Sequence, residues 1–257
     1  MRNQAQDDTP WLLAHRGARD EAPENTLSAF ERALAYPIDG IELDVQMSAD
    51  AVPVIYHDAT LWRIMRRRRR VAKMTAGQLA ELDWGRWFHA DFTGEPLLTL
   101  EQTLSRFAAR TRLLIEIKAL PKADNDRMTR QVVAQLASLP DGTPRAHILV
   151  LCFDLALLRL AHGLAPQWRY VYNVPGRQPE KVMRLSDKEV DFLWAIDVPI
   201  GRLSRRLVEW AADRHLKVCT YTCNTAAQVQ KALGLGADAI LTDRPGWLTE
   251  YMGQQTG

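Results

Sequence analysis

The sequence predicts one α/β domain in which eight parallel strands close into a (β/α)8 TIM barrel. Short apolar, β-branched runs alternate with longer amphipathic segments from one end of the chain to the other, the pattern of repeated βα units. Nothing interrupts that alternation to mark a second domain, and 257 residues is the usual size of a single closed barrel. A hydrophobic fraction of 47% beside 25% charged residues supplies a barrel interior and a helix-covered shell together.

In chain order the strand candidates are Trp11–His15, Gly40–Met47, Val52–His57, Leu113–Lys118, His147–Phe153, Arg169–Val174, Phe192–Val198, Lys217–Cys223 and Ala239–Asp243. Nine runs are one more than the barrel takes. Only Ser48–Ala51 separates the second from the third, whereas parallel neighbours need a crossover of about a dozen residues or more. Those two runs are therefore expected to pair as an antiparallel hairpin. It opens an insertion over residues 46–97, a hairpin arm plus a small cap, within a single domain of residues 1–257.

The helices lie between the strands. Asn25–Ala35 follows a Pro-Glu start and sets Leu27, Phe30, Ala33 and Leu34 on one face. Leu100–Arg110 resumes the alternation after the insertion. Asp126–Ala137, Ser204–Arg214 and Thr225–Leu233 repeat the spacing, the last two opening on hydroxyl N-caps, and Gly234 and Gly236 close the final helix.

Lys and Arg exceed Asp and Glu by two, so overall charge asks for neither nucleic acid nor an anionic membrane. The local exception is Arg66–Arg70, extended by Arg63. It reads as a solvated loop, with anion or lipid-headgroup attraction as the second reading. Cys152, Cys219 and Cys223 are an odd set suited to core packing rather than disulfides. Met1–Pro10 is polar and acidic, without the basic start or apolar stretch of a signal peptide, and no later run approaches the ~20 apolar residues of a membrane span. A cytoplasmic protein with no stable membrane anchor is expected.

Chemistry concentrates at strand ends. His15-Arg16-Gly17 closes the first strand at its carboxyl end, where barrels of this type keep their active sites. Glu42 and Asp44 stand two apart on the second strand and so point to one side, opposite apolar Ile41, Leu43 and Val45. Two carboxylates facing a barrel interior repel one another and lose hydration, which demands a cation or strong donors nearby. Glu116 and Lys118 repeat the arrangement on the fourth run. Three carboxylates from two neighbouring strands form a hard-oxygen set suited to Mg²⁺ or Ca²⁺, whereas Zn²⁺ would recruit more His or Cys. Lys118, protonated, is no ligand, and its expected task is to neutralise anionic oxygen on a substrate. His57-Asp58 ends the hairpin, which can fold back and bring a second imidazole to the same cavity. That inventory fits phosphoryl transfer better than any core-packing role. Glu24 and Asn25, directly after the first strand, are expected pocket groups, with Asn173 and Asp197 at later strand ends as further possibilities. His89, His147, His162 and His215 are read as structural or solvated.

Taken together, these residues resemble the glycerophosphodiester phosphodiesterase family. His15-Arg16-Gly17, Pro23-Glu24-Asn25-Thr26 leading into Ala29-Phe30, Glu42-Leu43-Asp44-Val45, His57-Asp58 with Leu61, Gly85 to Phe88, Glu116-Ile117-Lys118 and Thr242-Asp243-Arg244-Pro245 stand in family order across residues 11–250. The resemblance implies a barrel and hydrolysis of a small-molecule glycerophosphodiester to glycerol 3-phosphate and an alcohol. It implies a divalent metal on Glu42, Asp44 and Glu116, with His15 and His57 as general acid and base and Arg16 and Lys118 on the phosphate. Tyr221 falls in a segment that in the family more often reads Trp-Thr-Val-Asn and is expected to line the pocket. After Leu61 the chain departs from the family, with Met65 and five arginines in place of a Thr-rich, Gly-containing stretch. That change bears on the alcohol half of the substrate.

The first nucleophile is either water or the neighbouring glycerol hydroxyl, and the sequence does not decide between them. A lysophospholipase D would need a wider apolar mouth, which Trp62, Trp84, Trp87 and Phe88 can supply. A non-catalytic barrel binding phosphorylated ligands is the rival from another class, and it should have lost a ligand or an imidazole; none is missing.

Overall fold

The computed structural model describes residues 9–121 and 123–255, so residues 1–8 of the polar start discussed above lie outside it. In chain order the elements are β1 (Trp11–His15), α1 (Leu27–Ala33), β2 (Gly40–Met47), β3 (Pro53–Ile55), α2 (Trp62–Met65), α3 (Ala76–Ala80), α4 (Leu100–Phe107), β4 (Arg112–Ile117), α5 (Asn125–Ala137) and β5 (Ile148–Cys152). They continue with α6 (Leu155–Leu164), β6 (Arg169–Asn173), α7 (Asp187–Val190), β7 (Ala195–Pro199), α8 (Arg205–Ala212), β8 (Lys217–Tyr221), α9 (Ala226–Leu235), β9 (Ala239–Thr242) and α10 (Pro245–Gln255).

Eight strands are parallel and close into a barrel where β1 meets β2, with Leu13 beside Gly40 and His15 beside Glu42. The ninth, β3, pairs antiparallel with β2 (Val45 with Ile55, Met47 with Pro53), as the short connection requires. Strand ends differ from the expected ones by up to three residues; β3 stops at Ile55, leaving Tyr56 and His57 to follow the strand as loop. Helix α9 runs through Gly234 to Leu235, and Gly236 alone takes its left-handed cap, at φ 77°; α10 follows it, beyond the helices expected from the sequence.

The period-two pattern separates two apolar layers. Ile41, Leu43 and Val45 of β2, with Leu113, Ile115 and Ile117 of β4, pack outward under the helices, where Phe30 and Phe107 meet edge to face at 5.7 Å. Leu13, Leu114, Leu149, Leu151, Val171, Ala195, Cys219, Ala239 and Leu241 point inward and fill the barrel. At its amino-terminal end Trp11 stacks on Trp194 at 5.2 Å, with Arg112 over Trp11 at 4.2 Å. With the interior filled, the carboxyl-terminal end is where polar side chains of the same parity collect. The three cysteines are free and buried.

Between β2 and α4 the chain builds a cap with its own cluster, including Val54, Tyr56, Leu61, Ile64, Val71, Leu79, Trp84 and Leu97. The Gln46 side chain ties the hairpin down by donating to the carbonyls of Tyr56 at 2.7 Å and Asp58 at 2.9 Å. No helix among the described residues is long and apolar enough to cross a membrane.

Candidate active site

The loop leaving β1 turns sharply. Arg16 and Gly17 both have left-handed backbones, at φ 60° and 82°, and Asn25 joins them at 59°. A Cβ on Gly17 would lie 2.7 Å from the Ala29 backbone, so only glycine lets this loop sit against α1. The turn aims the Arg16 side chain back across the barrel mouth. Its Nε lies 3.0 Å from Asp44 Oδ2, its Nη1 donates to Glu24 Oε1 at 3.0 Å, and its backbone N–H donates to Glu42 Oε2 at 3.1 Å. Non-glycine residues held left-handed at a site of this kind are a cost carried by the surrounding contacts.

Glu42, Asp44 and Glu116 are buried and each offers an oxygen within 4.8 Å of the others. Asp44 is the best supported. Asn25 Nδ2 donates to its Oδ2 at 2.8 Å, and Lys118 Nζ donates to its Oδ1 at 3.2 Å. Desolvation pushes its carboxyl up, but the charges of Lys118 and Arg16 outweigh this and hold it well below the usual range. Glu42 goes the other way, pushed far up by burial and then by the charges of Asp44 and Glu116. Glu116 is raised as well, by burial and then by the charge of Asp44, although Lys118 Nζ lies 2.6 Å from its Oε1. Negative charge is thus crowded into a dry place with too little positive charge beside Glu42 and Glu116, and the oxygen donors suit a hard divalent cation. This group can hold a metal ion.

Both imidazoles face the same cavity, each fixed through Nδ1 by a carboxylate. His15 Nδ1 is 2.7 Å from Asp243 Oδ1, and its Nε2 is 3.9 Å from Glu42 Oε2. His57 Nδ1 is 2.6 Å from Asp58 Oδ1. A carboxylate only accepts, so in each pair Nδ1 carries the hydrogen and Nε2 is left to face the cavity chemistry. Desolvation lowers the His15 pKa against the opposing bond from Asp243. Asp58, raised by burial but bonded to His57 and Arg63, is held down at about 2.

The cavity, about 230 Å³, is lined by the polar groups His15, Arg16, Glu42, His57, Glu116 and Lys118, together with Leu151, Phe153, Asn173, Asp197, Tyr221 and Leu241 among others. Glu24, Asn25 and Asp44 support it from behind through the contacts above. All ten residues singled out as catalytic, substrate or metal groups therefore lie at one end of the barrel. Asp243 and Asp58 have structural parts that sequence reasoning missed. For Asp243 the available signal was its parity with inward Leu241 on the last run; for Asp58 it was adjacency to His57. Arg19 and Arg63 were also missed: both pair with Glu24, at 3.1 and 2.6 Å, and nothing in their spacing announces it. Asn173 and Asp197 sit side by side in register, and each has a buried oxygen without a hydrogen-bond partner. Asp197 is pushed far up by burial and then by the charge of Glu116. Of the other histidines, His147 bonds to the carbonyl of Ala108 and His162 packs on Tyr170 and Phe192, away from the cavity.

A barrel whose carboxyl-terminal mouth gathers a buried carboxylate cluster, two carboxylate-oriented imidazoles and two fixed cations is built as a hydrolase acting on an anionic ester. The profile of the Glycerophosphoryl diester phosphodiesterase family matches residues 15–247. A glycerophosphodiester phosphodiesterase of Caldanaerobacter subterraneus is 26% identical over 91% of this chain and 94% of its own. Among solved structures, a phosphodiesterase from Oleispira antarctica in complex with the product sn-glycerol-3-phosphate is 26% identical, with TM-score 0.83 over 95% of this chain and 97% of its own. A glycerophosphodiester phosphodiesterase from Agrobacterium tumefaciens is also 26% identical, with TM-score 0.78 over 94% and 100%. The chain belongs to the glycerophosphodiester phosphodiesterase family and is an enzyme of that class.

Proposed function

We propose that this enzyme hydrolyses glycerophosphodiesters to glycerol 3-phosphate and an alcohol, with His15 and His57 as the acid–base pair and Glu42, Asp44 and Glu116 holding Mg²⁺ or Ca²⁺. The observation that carries this reading is the matched orientation of the two imidazoles, each locked through Nδ1 so that Nε2 is free to exchange a proton. A bound divalent cation would supply Lewis-acid stabilisation of charge on the phosphoryl oxygens. Arg16 and Lys118 add fixed positive charge beside it, and their ion pairs keep both fully protonated. One imidazole takes the proton of the attacking oxygen, that of water or of the neighbouring glycerol hydroxyl, while the other protonates the leaving alkoxide; attack by the hydroxyl gives a cyclic phosphate, which water then opens to glycerol 3-phosphate with the two imidazoles exchanging roles. The product in the Oleispira antarctica complex supports the substrate class.

The wider apolar mouth of a lysophospholipase D gains no support. Trp84 is buried against Tyr56 within the cap, and Trp62, Trp87 and Phe88 are not among the cavity's lining residues. The test is release of glycerol 3-phosphate from glycerophosphocholine by chelator-treated protein given Mg²⁺, Mn²⁺ or Ca²⁺. His15→Ala and His57→Ala should each cost about 10²- to 10⁴-fold in kcat. Metal-independent turnover, or either variant within a few-fold of the parent, would refute the assignment.

A further inference from the structure

The arginine run is left over from the phosphodiesterase chemistry. Helix α2 ends at Arg66 in a left-handed turn, φ 56°, and the chain returns to an antiparallel bridge between Thr60 and Arg70. Leu61 N donates to Arg69 O at 3.0 Å and Val71 N to Ala59 O at 3.2 Å, so residues 61–70 form a closed excursion. Its apolar side, Leu61 and Ile64, is buried in the cap. The arginines are therefore held on a built platform.

All five, Arg66 to Arg70, are exposed, and among the described residues none has a carboxylate partner, the nearby Glu24 and Asp58 being taken by Arg16, Arg19 and Arg63. Arg66 and Arg68 lie over the Trp62 ring at 5.8 and 5.3 Å, and Arg70 Nη2 donates to Pro121 O at 3.2 Å. Arg32 pairs with Glu21, and both Arg106 and Arg110 pair with Glu31, whereas this run sets five guanidinium groups in succession with no such acid beside them. The chain carries +2 overall, so with five positive charges on this run the other residues sum to −3. An anionic surface would therefore attract the molecule by this excursion and repel the rest. Trp62, 45% exposed, stands beneath the guanidinium groups, the amphipathic ring that favours a membrane–water boundary. The excursion also borders the active site, because Arg63 of the same helix reaches Glu24 and Asp58, and Asp58 holds His57.

We propose that the excursion Trp62–Arg70 docks this enzyme on an anionic phospholipid bilayer, with Trp62 at headgroup level, Arg66 to Arg69 on lipid phosphates, and the cavity rim held at the membrane surface. Guanidinium forks match phosphate geometry, and each basic residue near an anionic leaflet strengthens partitioning about fivefold. An extended nucleic acid engages phosphates over a longer track than this short excursion supplies, and the residues outside the run sum to −3.

The test is co-sedimentation of the full chain with phosphatidylcholine vesicles, with and without phosphatidylglycerol, at low and high salt. Binding should require phosphatidylglycerol and weaken with salt. It should fall on the order of 10²- to 10³-fold in R66Q/R67Q/R68Q/R69Q and about tenfold in Trp62→Ser. Hydrolysis of a soluble diester by both variants should match the parent, which also certifies their folding. Absence of binding to anionic vesicles would overturn the proposal, as would equal binding by the quadruple variant, an unaffected Trp62→Ser, or a preference for a single-stranded oligonucleotide over vesicles.

Discussion

Asp243→Asn changes one atom in the support of His15 and should do more harm than deleting the carboxylate. Asp243 Oδ1 takes the His15 Nδ1 hydrogen at 2.7 Å, while its Oδ2 accepts from Asn224 Nδ2 at 2.7 Å. The Asn224 amide cannot turn round, because its Oδ1 accepts the Asp243 backbone N–H at 2.9 Å and the Thr242 hydroxyl at 3.1 Å. An asparagine at 243 must then offer its oxygen to Asn224 and its NH₂ to His15. A donor facing Nδ1 drives the hydrogen to Nε2, the wrong tautomer for accepting a proton in the cavity. The expected loss in kcat is about 10²- to 10⁴-fold, with KM little changed. Asp243→Ala leaves His15 free to choose its tautomer and forfeits one charge-assisted hydrogen bond of about 1.5–3 kcal/mol, on the order of 10- to 100-fold. Steady-state kinetics on glycerophosphocholine, with ¹⁵N chemical shifts of the His15 ring reporting the tautomer, test both. An Asp243→Asn enzyme more active than Asp243→Ala, or unshifted in its ring nitrogens, would refute the reasoning.

Three further outcomes follow from the same geometry. Mg²⁺ or Ca²⁺ at about a hundred times its Kd should raise unfolding stability by about 2.7 kcal/mol; Glu42→Gln and Glu116→Gln should lose most of that gain in thermal melts, and a gain as large as the parent's would remove them from the ligand set. Asp197→Val, which deletes a buried carboxyl with an unpartnered oxygen, should stabilise the fold by about 1–3 kcal/mol in urea while lowering kcat/KM. A less stable variant would show that the carboxyl has a structural role. Glu31, bonded first to Arg110 and also to Arg106, has its pKa lowered from 4.5 to about 2. A depressed carboxylate stabilises above its unfolded pKa and loses that contribution as pH falls through the folded one. The melting gap between parent and Glu31→Gln should therefore be constant above about pH 5 and close towards pH 2; a pH-independent gap would show that the ion pairs are not its source.

The alternation of apolar runs with amphipathic segments determined, without coordinates, that the chain is a barrel, and the alternation of apolar and charged residues along β2 and β4 put Glu42, Asp44 and Glu116 on its inner side. That reading was possible because side-chain parity is a local property with a period of two. The four-residue gap Ser48–Ala51 likewise excluded a parallel crossover and forced the extra hairpin. Only the tertiary structure decided which groups hold the imidazoles, since Asp243 lies 228 residues from His15 and meets it only once the barrel is closed. It also decided that Arg63 and Arg19 converge on Glu24, and that Glu42 and Asp44, chemically alike and two residues apart, are pushed in opposite directions. Lys118 and Arg16 reach Asp44, and closure of the barrel rather than sequence order sets where those cations stand.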